Sequence, residues 1–136
     1  MKFLHSMIRV KNIKESLKFY RDLLGLNLIS KNSLEDCDLY FLGEDENTCQ
    51  IELTYNYEIP EEGYKNGNAF GHYAFATDDM GEFSKKLISM GYEFLYEPFE
   101  LELKDEKGNS SFKKIAFVND PDGNEVEIIE ERKFIN

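Results

Sequence analysis

Residues 3–10, FLHSMIRV, alternate between apolar and polar positions with the two-residue period of a half-buried strand. Leu4, Ile8 and Val10 fall on one face; His5, Met7 and Arg9 fall on the other. The period then changes. Ile13, Leu17, Tyr20 and Leu24 recur at helical spacing, after an N-terminal signal formed by Asn12 with Glu15 three residues on. Gly25 supplies the stop. The runs LNLIS, DLYFLG and CQIELTY predict three more strands. The same order then recurs. HYAFAT reads as a strand, Asp79 with Glu82 as the cap, and Phe83, Leu87 and Met90 as the apolar helix face before Gly91. Strands follow at YEFLYE, FKKIAFV and NEVEIIE.

This doubled rhythm predicts an α+β fold of two tandem βαβββ modules in one 136-residue domain. The first module covers residues 1–56 and the second 70–131, with a helix covering one face of each half-sheet. Residues 57–69, rich in Pro, Gly and Asn, read as the linker, and 132–136 as a tail. A charged, glycine-containing loop at 105–110 is expected to be mobile. The DPDGN stretch at 120–124 reads as a tight hairpin turn, since Asp-Pro and Asp-Gly form turns and no twelve-residue calcium loop follows. Phe19 and Tyr20 read as helix packing.

The repeat carries chemistry. Laying QIELTY (50–55) over EVEIIE (125–130) matches Glu52 with Glu127, and the leading strands match His5 with His72. Ile51, Leu53 and Tyr55 share one strand face, so Glu52 projects from the other; Glu127 likewise opposes Val126 and Ile128. A strand histidine alone is more often a satisfied surface or core residue, and a strand glutamate alone is ordinarily solvated. The chain, however, has only two histidines, and both occupy the same repeat position. If the half-sheets curve around a common concavity, four groups converge there, and an unpartnered carboxylate would bear several kcal/mol of desolvation. A divalent cation resolves this. Two imidazoles and two carboxylates suit Ni, Co, Fe, Mn or Zn rather than calcium.

Composition narrows the function classes. A net charge of −11 argues against nucleic acid, which is held by clustered Lys and Arg. Cys37 and Cys49 fit neither a metal spacing nor a disulfide scaffold, and Cys37 lies between Asp36 and Asp38, where a thiolate is disfavoured. No apolar run suggests a signal peptide or a membrane span, so a cytoplasmic protein is expected.

The motifs LHSMIRV, SLKFYRDLLGLNL, IELTYN, GHYAFAT and AFVNDPDGNEVEIIEE together resemble glyoxalase I, the lactoylglutathione lyases of the vicinal oxygen chelate superfamily, over about residues 3–131. The resemblance implies metal ligands at His5, Glu52, His72 and Glu127. Histidine at the first of these, with the short chain, resembles the bacterial class that prefers Ni or Co over Zn. The implied reaction isomerises the hemithioacetal of methylglyoxal and glutathione, or a related thiol, to S-D-lactoylglutathione. It proceeds by proton transfer through a metal-bound cis-enediolate, and so disposes of methylglyoxal. By resemblance Glu127 is the base and Glu52 its counterpart for the other substrate stereoisomer.

Arg9 and Asn56 each lie four residues beyond a ligand, about 13 Å along the strand, which suits the far end of a glutathione-sized molecule. They resemble the family residues that grip the γ-glutamyl carboxylate. The segment ELELKDEKGNSSFKK (100–114) departs from the family's glycine-rich stretch. Lys104 or Lys107 would have to substitute there, and a thiol other than glutathione stays open. Other enzymes of the superfamily (an epimerase, a thiol transferase, a dioxygenase) and a non-catalytic small-molecule-binding protein are the alternatives. A homodimer is expected, with the site closed within one chain or shared between two.

Overall fold

The computed structural model describes residues 1–132, so the expected tail lies, apart from Arg132, outside the described residues. The chain divides into two compact units, Met1–Ala69 and Phe70–Asn136. The first contains β1 (His5–Arg9), α1 (Ile13–Leu17), β2 (Asn27–Ser33), β3 (Cys37–Gly43) and β4 (Gln50–Asn56). The second contains β5 (His72–Thr77), α2 (Met80–Ser89), β6 (Phe94–Lys104), β7 (Ser110–Asn119) and β8 (Glu125–Glu130). Each unit is thus βαβββ.

The sheets share one topology. The strand orders are β1-β4-β3-β2 and β5-β8-β7-β6, so in each the first strand pairs in parallel with the last and the others run antiparallel. The registers correspond as well. Met7 lies beside Glu52 and Glu52 beside Phe41; Ala74 lies beside Glu127 and Glu127 beside Phe117. Alternation along the strands puts the opposite faces into the cores. Ile8, Val10, Ile51 and Leu53 are buried in the first unit, and Ala116, Val118, Val126 and Ile128 in the second. Leu4, assigned by alternation to the first apolar face, is instead exposed, since it precedes β1 and has no strand to pack behind.

Both helices start where their caps require. The carboxamide oxygen of Asn12 accepts from the Glu15 N–H at 3.1 Å, and the Asp79 carboxylate accepts from the Glu82 N–H at 3.0 Å. Both end on a left-handed glycine, Gly25 at φ 78° and Gly91 at φ 85°, a conformation that a side chain would strain. The first helix departs from regularity between these points. Residues Lys18–Leu23 form a π-helical stretch, in which the Leu24 N–H reaches the Phe19 carbonyl. Of the expected stripe of Ile13, Leu17, Tyr20 and Leu24 only Tyr20 is buried, together with Ser16, Phe19 and Leu23. The wider turn brings Phe19 and Tyr20 into the core together, edge to face at 4.9 Å. In α2 the period holds, and Phe83 and Leu87 are buried with Met80.

Two loops are tighter than their composition suggests. Residues 105–109 form a hairpin turn in which the Asp105 carboxylate accepts from the N–H groups of Lys107 and Asn109 and from the Asn109 amide. The loop expected to be mobile is therefore laced to its own aspartate, and β6 and β7 extend to meet it. The DPDGN turn has the same wiring: Asp120 accepts from Asp122, from the Asn124 N–H and from the Asn124 amide. Residues 57–69 are tied to the first unit, where the Tyr57 hydroxyl donates to Asp38 at 2.7 Å and the Tyr57 N–H donates to the Asp36 carbonyl. Among the described residues no helix is long and apolar enough to cross a membrane.

Candidate functional site

The face of the first sheet turned away from its helix carries His5 on β1, Phe41 on β3 and Glu52 on β4. Imidazole Nε2 of His5 lies 3.4 Å from Glu52 Oε1, and the ring stands edge-on to Phe41 at 5.2 Å. The second sheet repeats the arrangement. Imidazole Nε2 of His72 lies 3.8 Å from Glu127 Oε1, and its ring stands edge-on to Phe117 at 5.4 Å. In both units the histidine is half-exposed while the carboxylate is largely covered. A phenylalanine against each ring restricts its rotation, so the open nitrogen points toward the carboxylate.

These distances suit a shared cation. With metal–nitrogen and metal–oxygen bonds of about 2.0–2.2 Å, two neighbouring donors sit about 3.0–3.4 Å apart. The first pair meets that separation and the second comes within a few tenths of an ångström. Each pair supplies two donors, and among the described residues no group of three or more His, Cys, Asp or Glu side chains gathers as a metal cluster.

The carboxylates differ in their support. Glu52 is buried, 8 % exposed, and its Oε2 accepts a 2.7 Å bond from the hydroxyl of Thr54, itself buried. That charge-assisted bond offsets desolvation of the carboxylate and fixes its orientation. Among the described residues Glu127 has only His72 as a partner.

Arg9 ends β1, exposed, one rung beyond the His–Glu pair and beside Thr54. Asn56 ends β4 one further rung on, opposite Cys37, and its carboxamide oxygen accepts from the Tyr64 hydroxyl at 3.4 Å. Both therefore share the sheet face of Glu52, as strand alternation predicts. Burial pushes the Cys37 thiol up, and neighbouring Asp36 adds to the effect, so this cysteine faces the site as an unreactive thiol. Lys104 and Lys107 lie at the end of β6 and in the turn after it. Strand alternation puts Lys113 on the face that carries Phe117.

Sequence reasoning missed Phe41, Phe117 and Tyr64; alternation puts Gln50 and Thr54 on the face of Glu52, but the bond from Thr54 was not read. The two phenylalanines leave a signal once the repeat is extended to the third strand, because LYFLG and IAFVN align with Phe41 over Phe117. Tyr64 leaves none, and for Thr54 alternation gives the face but not the bond, because hydroxyl partners depend on rotamers.

Known proteins bear on these sheets. A lactoylglutathione lyase of Haemophilus influenzae is 38% identical over 136 residues, covering 97% of this chain and 94% of that protein. One of Escherichia coli O157:H7 is 36% identical over 136 residues, with the same coverage. Among solved structures, the trypanothione-dependent glyoxalase I of Leishmania major superposes with a TM-score of 0.76 at 32% identity, over 96% of this chain and 87% of that one. Glyoxalase I of Zea mays gives a TM-score of 0.80 at 32% identity, this chain spanning 45% of its length. The family model described as the Glyoxalase/Bleomycin resistance protein/Dioxygenase superfamily matches residues 2–128. With its paired βαβββ units and a His–Glu pair on each sheet, the chain belongs to this superfamily, in its glyoxalase I branch.

Proposed function

We propose that this chain is a metal-dependent glyoxalase I that isomerises the hemithioacetal of methylglyoxal and a thiol to the D-lactoyl thioester. The observation that carries the reading is the doubled pair, His5 with Glu52 and His72 with Glu127, at matching registers in two sheets of one topology. His5, Glu52, His72 and Glu127 would together hold one divalent ion, Ni or Co in preference to Zn. The donor set supports a borderline transition metal, since imidazole nitrogens outweigh what calcium or magnesium accept. That ion, when bound, would supply Lewis-acid chemistry toward the substrate's carbonyl and hydroxyl oxygens, which would acidify the proton on the sulfur-bearing carbon.

The chain's own groups do the rest. Glu127 takes the proton from the carbon bearing sulfur and returns it to the adjacent carbon, so the thiol stays attached and no external oxidant is needed. Glu52 serves as its counterpart for the opposite stereoisomer. The Phe41 and Phe117 rings stand edge-on to the imidazoles and limit their rotation. Arg9 offers a guanidinium fork to the γ-glutamyl carboxylate of the thiol, and Asn56 donates beside it. Glutathione is the thiol named in the curated relatives; the Leishmania structure is trypanothione-dependent, and the 100–114 hairpin is where thiol preference would differ. The working form is a cytoplasmic homodimer.

The test is lactoyl-thioester formation from methylglyoxal and glutathione after metal removal and reconstitution with Ni, Co or Zn separately. Activity highest with Ni or Co supports the proposal, and no activity with any metal overturns it.

A further inference from the structure

The two glutamates hold corresponding positions but not corresponding surroundings. Superposing the fourth strands places Ile129 where the first unit has Thr54, two residues beyond the glutamate on the same face. The rung beyond Glu52 consists of Arg9, Thr54 and Leu39; the rung beyond Glu127 consists of Ala76, Ile129 and Ile115. The first contains a hydroxyl donor in contact with the carboxylate, and the second contains no hydrogen-bonding side chain. Thr54 is 5 % exposed and its 2.7 Å bond occupies the Glu52 oxygen that faces away from His5.

From this we infer that Thr54 is a positioning residue that divides the labour between the two carboxylates. It fastens Glu52 in a single orientation, so that Glu52 leaves the ion less readily than Glu127 and is the slower base, serving the opposite stereoisomer. Glu127, with an aliphatic neighbour in place of the hydroxyl, is the one free to exchange between the ion and the substrate proton. The inference rests on the metal-dependent reading above and deepens it, giving the chemical reason for an unequal pair in a doubled site. A fastened carboxylate makes the slower general base of the two, because leaving its ligand position breaks a buried charge-assisted bond. Outer-shell partners of this kind typically sustain metal affinity by about ten- to a hundredfold.

The experiment has a binding arm and a catalytic arm. The metal-free protein is titrated calorimetrically with Ni, alongside Thr54→Val and Thr54→Ser. Fastening predicts that Thr54→Val weakens Ni binding by about tenfold or more and that Thr54→Ser, which keeps the hydroxyl, stays near the wild type. Valine is isosteric with threonine, and matched thermal melts separate a folding defect from a loss of positioning. In the catalytic arm, Glu127→Gln is compared with Glu127→Gln/Thr54→Val at saturating Ni. Freeing Glu52 predicts that the double variant turns over at least about fivefold faster than the single one. Unchanged Ni affinity in Thr54→Val, or a double variant no faster than Glu127→Gln, overturns the division of labour. Wild-type protein that binds Ni but forms no lactoyl thioester overturns the proposed reaction instead, and the titration then still decides whether Thr54 fastens its glutamate.

Discussion

The first and second units present the same three residue types on the same three strands, yet they finish the face differently. In Met1–Ala69 the rungs beyond the His–Glu pair are polar, with Thr54 against Glu52, then Arg9 and Asn56. In Phe70–Asn136 the corresponding rung is Ala76, Ile129 and Ile115. On the proposed function, the repeat keeps a His–Glu donor pair in each unit and gives up symmetry where one end of a substrate would be gripped and one carboxylate would take the proton. A symmetric site would bind an asymmetric molecule in two orientations.

Substitutions that treat the two units alike expose this difference. The largest expected effect is Glu127→Gln, which lowers kcat by about a hundred- to ten-thousandfold, as loss of a general base does. Glu52→Gln costs less in kcat and more in Ni retention. Stopped-assay kinetics with metal analysis on both variants checks the order, and the reverse order breaks the comparison. Next, His5→Ala and His72→Ala are each expected to lose Ni affinity by at least about 100-fold, beyond what outer-shell changes cost. Equal losses in a metal-competition titration sharpen the idea of one shared ion, whereas strongly unequal losses contradict it.

Arg9→Lys keeps the charge but loses the fork. It should raise KM for the glutathione adduct about tenfold with kcat nearly unchanged. The corresponding position in the second unit is Ala76, and Ala76→Ser should leave KM where it is.

The two Asp-x-x-Gly-Asn turns make a smaller comparison within the second unit. Asp120 is 4 % exposed and Asp105 is exposed, although their hydrogen bonds match. Asp120→Ala should cost about 1–3 kcal/mol in denaturant unfolding, because it leaves buried N–H groups unpaired. Asp105→Ala should cost clearly less, water replacing the lost acceptor.

The smallest effect concerns acid stability. The hydroxyls of Ser33 and then Tyr57 hold the Asp38 carboxyl below its ordinary value. A depressed folded-state value means that this contribution is complete above the unfolded value, near pH 3.9, and is lost as pH falls through the folded one. Tyr57→Phe removes one donor and should move the acid-unfolding midpoint slightly upward, read by circular dichroism against pH. At the corresponding described positions of the second unit stand Arg132 and Lys114 in place of Tyr57 and Asp38, so the pair belongs to the first unit.

Much of this architecture was legible in the chain. The period changes at Asn12 and Asp79, the glycines at 25 and 91, and the overlay of QIELTY on EVEIIE gave both modules and the two His–Glu matches. The π-helical stretch was not legible: Phe19 and Tyr20 read as helix packing, but a 3.6-residue stripe takes Tyr20 with Ile13, Leu17 and Leu24 and does not bring Phe19 and Leu23 inward beside it. Both strands of the β6–β7 hairpin were expected, at YEFLYE and FKKIAFV, but the extension of β6 through Phe99, Leu101 and Leu103 was missed because Pro98 interrupts the run, and the turn at Asp105 reads as a loose loop until its hydrogen bonds are seen.

The sequence by itself determined what is local or repeated: strand and helix periods, caps, stops, and the positions of two histidines and two glutamates. Only the tertiary structure decided what touches what across strands. It set Phe41 and Phe117 against the imidazoles, closed each His–Glu distance, and turned the Thr54 hydroxyl onto Glu52 while leaving Ile129 beside Glu127. The physical reason is that a strand's period fixes which face a side chain takes, but register and rotamer fix its neighbours, and these are settled by pairing and packing between residues far apart in the chain.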